Sequence, residues 1–138
     1  MAMETDLQAW LLAQAGVATA IGDRLYRLIA DQDAARPYAV MSTLNVEPQR
    51  TLGGPTGETV AKLQVTCWGD EIADAESARD AIVAAVRSLE RDIIRRRVPM
   101  TIGSTRVRDV TDDADQELYE DEIRQPRRLV EITVRYEE

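Results

Sequence analysis

The chain has 138 residues, 17 basic and 25 acidic, for a formal charge of −8; 44% are hydrophobic, 30% are charged, none is His and one is Cys. This length favours one domain whose core needs no disulfide or metal, and the composition is that of an ordinary soluble globular protein. Without His and with Cys67 alone, Ser–His and Cys–His nucleophile pairs, cysteine-rich zinc sites and an intrachain disulfide are excluded, a reducing compartment is expected, and the acidic excess disfavours tight nonspecific binding to nucleic acid.

The start, "MAMETDLQAW", has no basic region followed by an apolar stretch, and no run approaches the ~20 apolar residues of a membrane span, so no signal peptide or span is expected. "TDLQAWLLAQAG" reads as a helix. Thr5 and Gln8 have capping-box spacing, Leu7, Leu11 and Leu12 form an apolar face beside Trp10, and Gly16 is the expected terminator. Val17 to Ile21 read as a further helical turn and Leu25 to Leu28 as a short extended piece.

"DQDAARP" is a polar loop, followed by the strand "PYAVMSTLNVEPQR". In it Tyr38, Val40, Ser42, Leu44 and Val46 share one side, and Ala39, Met41, Thr43 and Asn45 the other. "TLGGPTGET" is the strongest loop signal in the chain. The strand "VAKLQVTCW" follows, with Ala61, Leu63, Val65 and Cys67 on one face, so the two strands make a long antiparallel hairpin. Cys67 is expected as a small core residue, and Trp68 as packing under the corner where the chain turns, with an interface anchor as the alternative.

The clearest helix is "GDEIADAESARDAIVAAVRSLERDII". Ile72, Ala75, Ile82, Val83, Val86, Leu89 and Ile93 recur at three- and four-residue spacing, with Arg79 the one polar break. Asp70 is the candidate N-cap, and "RRRVPM" ends the helix because Pro99 cannot continue it. "MTIGSTRVRDVTD" is a third strand region, "DDADQELYEDEIRQP" an acidic connection, and "RRLVEITVRYE" the last strand, with Val130, Ile132, Val134 and Tyr136 inward. The expected fold is one α+β domain over residues 1–138: an antiparallel sheet of about four strands, two main helices on one face.

Motifs for chemistry fail on inspection. "LGGPTGET" lacks the Gly-Lys-Ser/Thr of a phosphate loop, and Glu58 or Thr59 stands where the second Gly is needed. A calcium loop begun at Asp113 needs Gly at Leu118 and Glu at Arg124. No cofactor or metal is expected. Arg95, Arg96 and Arg97 form the one basic cluster. They read as a solvated helix end or as the complement of acidic residues Asp112, Asp113, Asp115, Glu117, Glu120, Asp121 and Glu122 on a neighbouring subunit.

The whole pattern resembles the tail terminator, or tail completion, proteins of long-tailed bacteriophages and gene transfer agents. The likeness rests on "LQAWLLAQAGVATAIGDRLY", "RPYAVMSTL", "LGGPTGETVAKLQVTCWGDEIADAESARDAIVAAV" and "LYEDEIRQPRRLVEITVRY", in that order and spacing; Arg95 to Thr111 fits least well. The resemblance implies a non-enzymatic virion protein, made in the host cytoplasm and sited at the head-proximal end of the tail. It implies a hexameric ring of identical copies that caps the tail tube, ends its polymerisation and offers a surface to the connector or stopper of the head. DNA passes through the lumen, and no membrane is involved. Identical copies in a ring meet through two different surfaces. The turn-rich segment Pro48, Gln49, Arg50, Thr51, Leu52, Gly53, Gly54, Pro55, Thr56, Gly57 and Glu58 is the candidate for docking to tube or connector. The rival readings are another neck ring such as a head-completion protein, a small bacterial ligand-binding regulatory domain, and a carboxylate-only enzyme.

Overall fold

Ala61, Leu63, Val65 and Cys67, the inner row of the most regular strand, are fully buried, and so are Val130, Ile132, Val134 and Tyr136 of the last strand. The computed structural model describes residues 2–29, 37–97, 99–120 and 125–137; for residues 2, 51, 55, 113–120 and 125–126 it describes the backbone alone. The elements are α1 (Ala2–Leu12), α2 (Ala15–Ile21), β1 (Leu25–Arg27), β2 (Tyr38–Thr51), β3 (Gly54–Trp68), α3 (Ile72–Arg96), β4 (Met100–Ile102), β5 (Thr105–Glu120) and β6 (Gln125–Glu137). The strands form one sheet in the order β1-β2-β3-β6-β5-β4. One core cluster joins the inner rows to Leu7 and Leu11 of α1, Val17 and Ile21 of α2, and Ile82, Val86 and Leu89 of α3.

The α+β class and the β2–β3 hairpin agree with expectation, while the strand count and the purely antiparallel pairing do not. Among the described residues six strands form one sheet, and β1 runs parallel to β2, pairing Leu25 with Ala39 and Arg27 with Met41. The third strand region is itself a hairpin: β4 and β5 are joined at Gly103-Ser104, where Gly103 has φ +57, a left-handed conformation that glycine takes without steric cost. The acidic "connection" is strand for most of its length, because β5 continues through Glu120 alongside β6. Likewise "TLGGPTGET" is two strands running into a tight turn at Leu52-Gly53.

Three local signals gave way to tertiary contacts. Thr5 and Gln8 lie within α1, not at a cap: Thr5 Oγ1 accepts from Arg27 at 3.3 Å, and Gln8 Nε2 donates to the Leu25 carbonyl at 2.6 Å. Gly16 sits in α2, and α1 stops earlier, at Leu12. The N-cap of α3 is Glu71 and not Asp70, and its side chain makes no capping bond. At the other end Arg97, in the left-handed region with φ 55, closes α3 by donating its N–H to the Ile93 carbonyl. The face assignment of β2 also changes along its length. A bulge between Thr43 and Asn45 leaves Leu44 50% exposed and returns Val46 to the core.

Asp6 fastens α1 to the β4–β5 turn. Its Oδ2 accepts from the Ser104 N–H at 3.1 Å, the Ser104 hydroxyl at 3.0 Å and the Thr105 hydroxyl at 2.7 Å. The Thr105 hydroxyl, and then Ser104, hold its carboxyl below the usual value against the opposing effect of burial. A carboxyl lowered on folding contributes stability that is present above its unfolded value of 3.8 and lost as pH falls through the lower folded one. Asp6→Ala is therefore expected to melt below the wild type at neutral pH, with the gap closing in strong acid. Melting curves over that pH range check this; a gap that stays constant counts against the clamp.

Candidate functional site

Among the described residues no cluster of three or more His, Cys, Asp or Glu side chains is placed to hold a metal, and Cys67 is buried in the core as expected. Among the described residues no helix is long and apolar enough to cross a membrane. What the fold offers is two projecting arms, two partly open sheet edges and one sheet face away from the helices.

The arms follow from register. In β3, Thr59 stands opposite Tyr136, so residues 54–58 and their partners in β2 extend beyond β6. In β6, Arg127 stands opposite Trp68, so the β5–β6 hairpin, Leu118 to Glu120 against Gln125 to Arg127, reaches the other end of the sheet and runs past β3. α3 starts at this second end, after Trp68, and runs about 37 Å toward the first. The candidate segment Pro48 to Glu58 is thus the tip of the first arm. Leu52 at its apex is fully solvent-exposed. Glu58, at the base, faces Arg135 at 3.5 Å and Arg108 at 4.0 Å.

Arg95, Arg96 and Arg97 are exposed at the end of α3, just before β4 on the β5 side of the sheet. Asp112 lies mid-way along β5, where Arg87 grips both its oxygens at 3.1 and 3.2 Å. That pairing raises the Arg87 guanidinium. Nearby, burial and then Asp109 and Asp112 push the Glu90 carboxyl up. Asp113, Asp115, Glu117 and Glu120 fall on the part of β5 described by backbone alone, and Asp121 and Glu122 lie outside the described residues. The basic triplet and the acidic arm therefore occupy opposite ends of one flank.

The edges are unlike. β1 pairs with β2 only from Ala39 to Met41, and β4 pairs with β5 only from Thr105 to Val107. Among the described residues, β2 and β5 each end the sheet beyond those stretches. Sequence reasoning read Leu25 to Leu28 as an extended piece and Met100 onward as one strand region, but a three-residue strand leaves no periodic trace to show which edge of the sheet it lies on.

On the outer face Trp68 stacks on Tyr38 with centroids 6.3 Å apart, Tyr38 meets Tyr26 edge-on at 6.1 Å, and the Arg127 guanidinium lies 5.0 Å over the Trp68 ring. Trp68 thus packs between Tyr38 of β2 and Arg127 of β6 on the face away from the helices, not under the corner with α3.

In comparison with known proteins, the family model described as "Tail completion protein gp17" matches residues 5–137. Among solved structures, a chain from "Virion of native gene transfer agent (GTA) particle" is similar in fold, with a TM-score of 0.72 over 96% of this chain and 92% of that one, at 16% sequence identity. No curated protein matches the chain in sequence.

Proposed function

The chain belongs to the Tail completion protein gp17 family, and on that premise we propose that it is a structural virion protein that caps the tail tube as a ring. The ring ends tube growth and presents the surface to which the DNA-filled head is joined. The observation that carries this reading is the family match over nearly the whole chain, residues 5–137, and the likeness in fold to a chain of a gene transfer agent virion supports it.

The geometry is suited to such a role. A ring of identical copies, six in the reading proposed here, needs two different faces that meet head to tail. The β2 and β5 flanks are two such faces, and each leaves part of a strand edge for a neighbour to cover. Arg95 to Arg97 and the acidic arm share the β5 flank, so a head-to-tail contact carries them against the β2 flank of the next copy and not against each other. The Pro48 to Glu58 tip projects clear of the sheet and serves as the docking element for the tube protein or the head connector. DNA passes through the opening, and a net charge of −8 keeps its phosphates from adhering. The role is one of shape and surface, with no bond made or broken.

Particles assembled without this chain are expected to carry tubes of uncontrolled length beside unjoined heads, counted by electron microscopy. Tails of normal length joined to heads in its absence overturn the reading.

A further inference from the structure

The side of α3 turned away from the sheet carries an ordered run of exposed positions. Ser77, Asp80, Ala84, Arg87, Arg91 and Ile94 are all exposed, and among the described residues none covers them. They follow one another at alternating three- and four-residue steps, the spacing of a seam between two helices. The buried residues Ala78, Ile82, Val86, Leu89 and Ile93 lie on the other side. An open groove follows the run from Ala81, beside Gln14 to Val17 of α2, past Ala84 to Ile94. Ile94, 64% exposed, is the large apolar side chain of the run.

The charge on this helix is ordered too. Asp70, Glu71, Asp74 and Asp80 are exposed at its start and in its first half, and Arg91, Arg95, Arg96 and Arg97 at its other end. Asp80 pairs with its neighbour Arg79 at 3.0 Å and still stands 64% exposed. Arg87 is turned to β5, where Asp112 holds it, while Arg91 has no ion pair among the described residues. A second α3 laid parallel to this face would set acid against acid and base against base. One turned end for end does the reverse.

The spacing makes that match position by position. With two α3 helices antiparallel about a point between Ala85 and Val86, Asp80 faces Arg91 of the second copy, Ala84 faces Arg87 and Ser77 faces Ile94. Every layer sets a small residue or an opposite charge against a long side chain, and symmetry gives each layer twice. The face is complementary to itself, which selects a second copy of this chain over an unrelated partner.

We propose that two copies of this chain pair in solution through α3, antiparallel, with Asp80 of each against Arg91 of the other. The contact is isologous, one face meeting the same face. It lies on the helix layer and not on the β2 and β5 flanks, so it is separate from the ring contact and does not rest on the tail reading. A seam of one helix from each copy is small for a stable interface, so the dimer is expected to be weak and concentration-dependent.

Equilibrium sedimentation of the full chain, up to millimolar concentration, tests it. The wild type is expected to approach the mass of a dimer. Asp80→Arg sets Arg against Arg in both charged layers, and Arg91→Asp sets Asp against Asp. Each is expected to weaken pairing at least about tenfold. An equal mixture of the two variants is expected to recover wild-type pairing, because both charged layers again hold opposite charges, and that recovery shows at once that both variants are folded. Wild-type pairing by either variant alone, or a mixture that pairs no more tightly than its components, overturns the proposal. So does a wild type that stays monomeric, or one that forms larger assemblies which neither substitution weakens.

Discussion

A chain whose β2–β3 tip is cut back, with residues 49–58 replaced by Asn-Gly between Pro48 and Thr59, is expected to fold normally and to lose head–tail joining altogether. Pro48 and Thr59 are direct partners in the ladder, so a two-residue turn can close the hairpin there without moving the strands below. None of the side chains described within the removed segment belongs to the core; the first core positions are Val46 and Ala61. Glu58 gives up its pairs with Arg135 and Arg108, but exposed ion pairs contribute only about 0–1 kcal/mol. The thermal midpoint should therefore stay close to that of the wild type. Function is another matter under the proposed role, since the arm beyond β6 is the projecting part of that end of the sheet. Particle yield by electron microscopy and infectivity or transduction titre measure the effect. Normal yield from a well-folded variant would show that docking lies elsewhere.

Much of this fold was readable where one side chain in two, or three in seven, had to be apolar. β3, β6 and α3 carry the core, and their buried positions follow the alternation and helical spacing of the sequence. β1 was read as a short extended piece and β4 as part of one longer strand region, but three residues cannot show a period, so neither their place in the sheet nor their partners could be read. The far half of β5 was misread for a different reason. Asp112 to Glu120 carry a run of acidic residues with no apolar alternation, so the pattern reads as a connection, while pairing with β6 makes them a strand. The candidate docking tip was legible from its Gly and Pro residues. The burial of Glu4 was not, because it depends on α1 meeting β2 at Thr43, 39 positions further along the chain. An acidic residue in a first helical turn ordinarily reads as favourable capping charge, and nothing local marks it as buried.

The corner between β3 and α3 shows how far a local sequence can dictate a fold, and a pair of glycine substitutions of opposite sign measures it. Gly69 is buried where the chain leaves Trp68 for α3. A Cβ there would lie 2.6 Å from the Asp74 Cβ, 2.8 Å from the Ala75 nitrogen and 2.9 Å from the Glu71 carbonyl oxygen. Two of those atoms are backbone of the helix start, so they cannot swing aside; the helix itself must shift away from the sheet it covers. Gly69→Ala is expected to cost about 1–3 kcal/mol, as overpacking of a tight site does, and Gly69→Val more. Gly16 is the counterpart: it lies in α2, is exposed, and a Cβ would meet nothing within 4 Å. Gly16→Ala is expected to stabilise by about 0.5–1 kcal/mol through helix propensity. Urea titrations of both variants, read at constant m-value, check the pair. A Gly69→Ala variant as stable as the wild type would mean that α3 can be levered off the β3 corner at little cost.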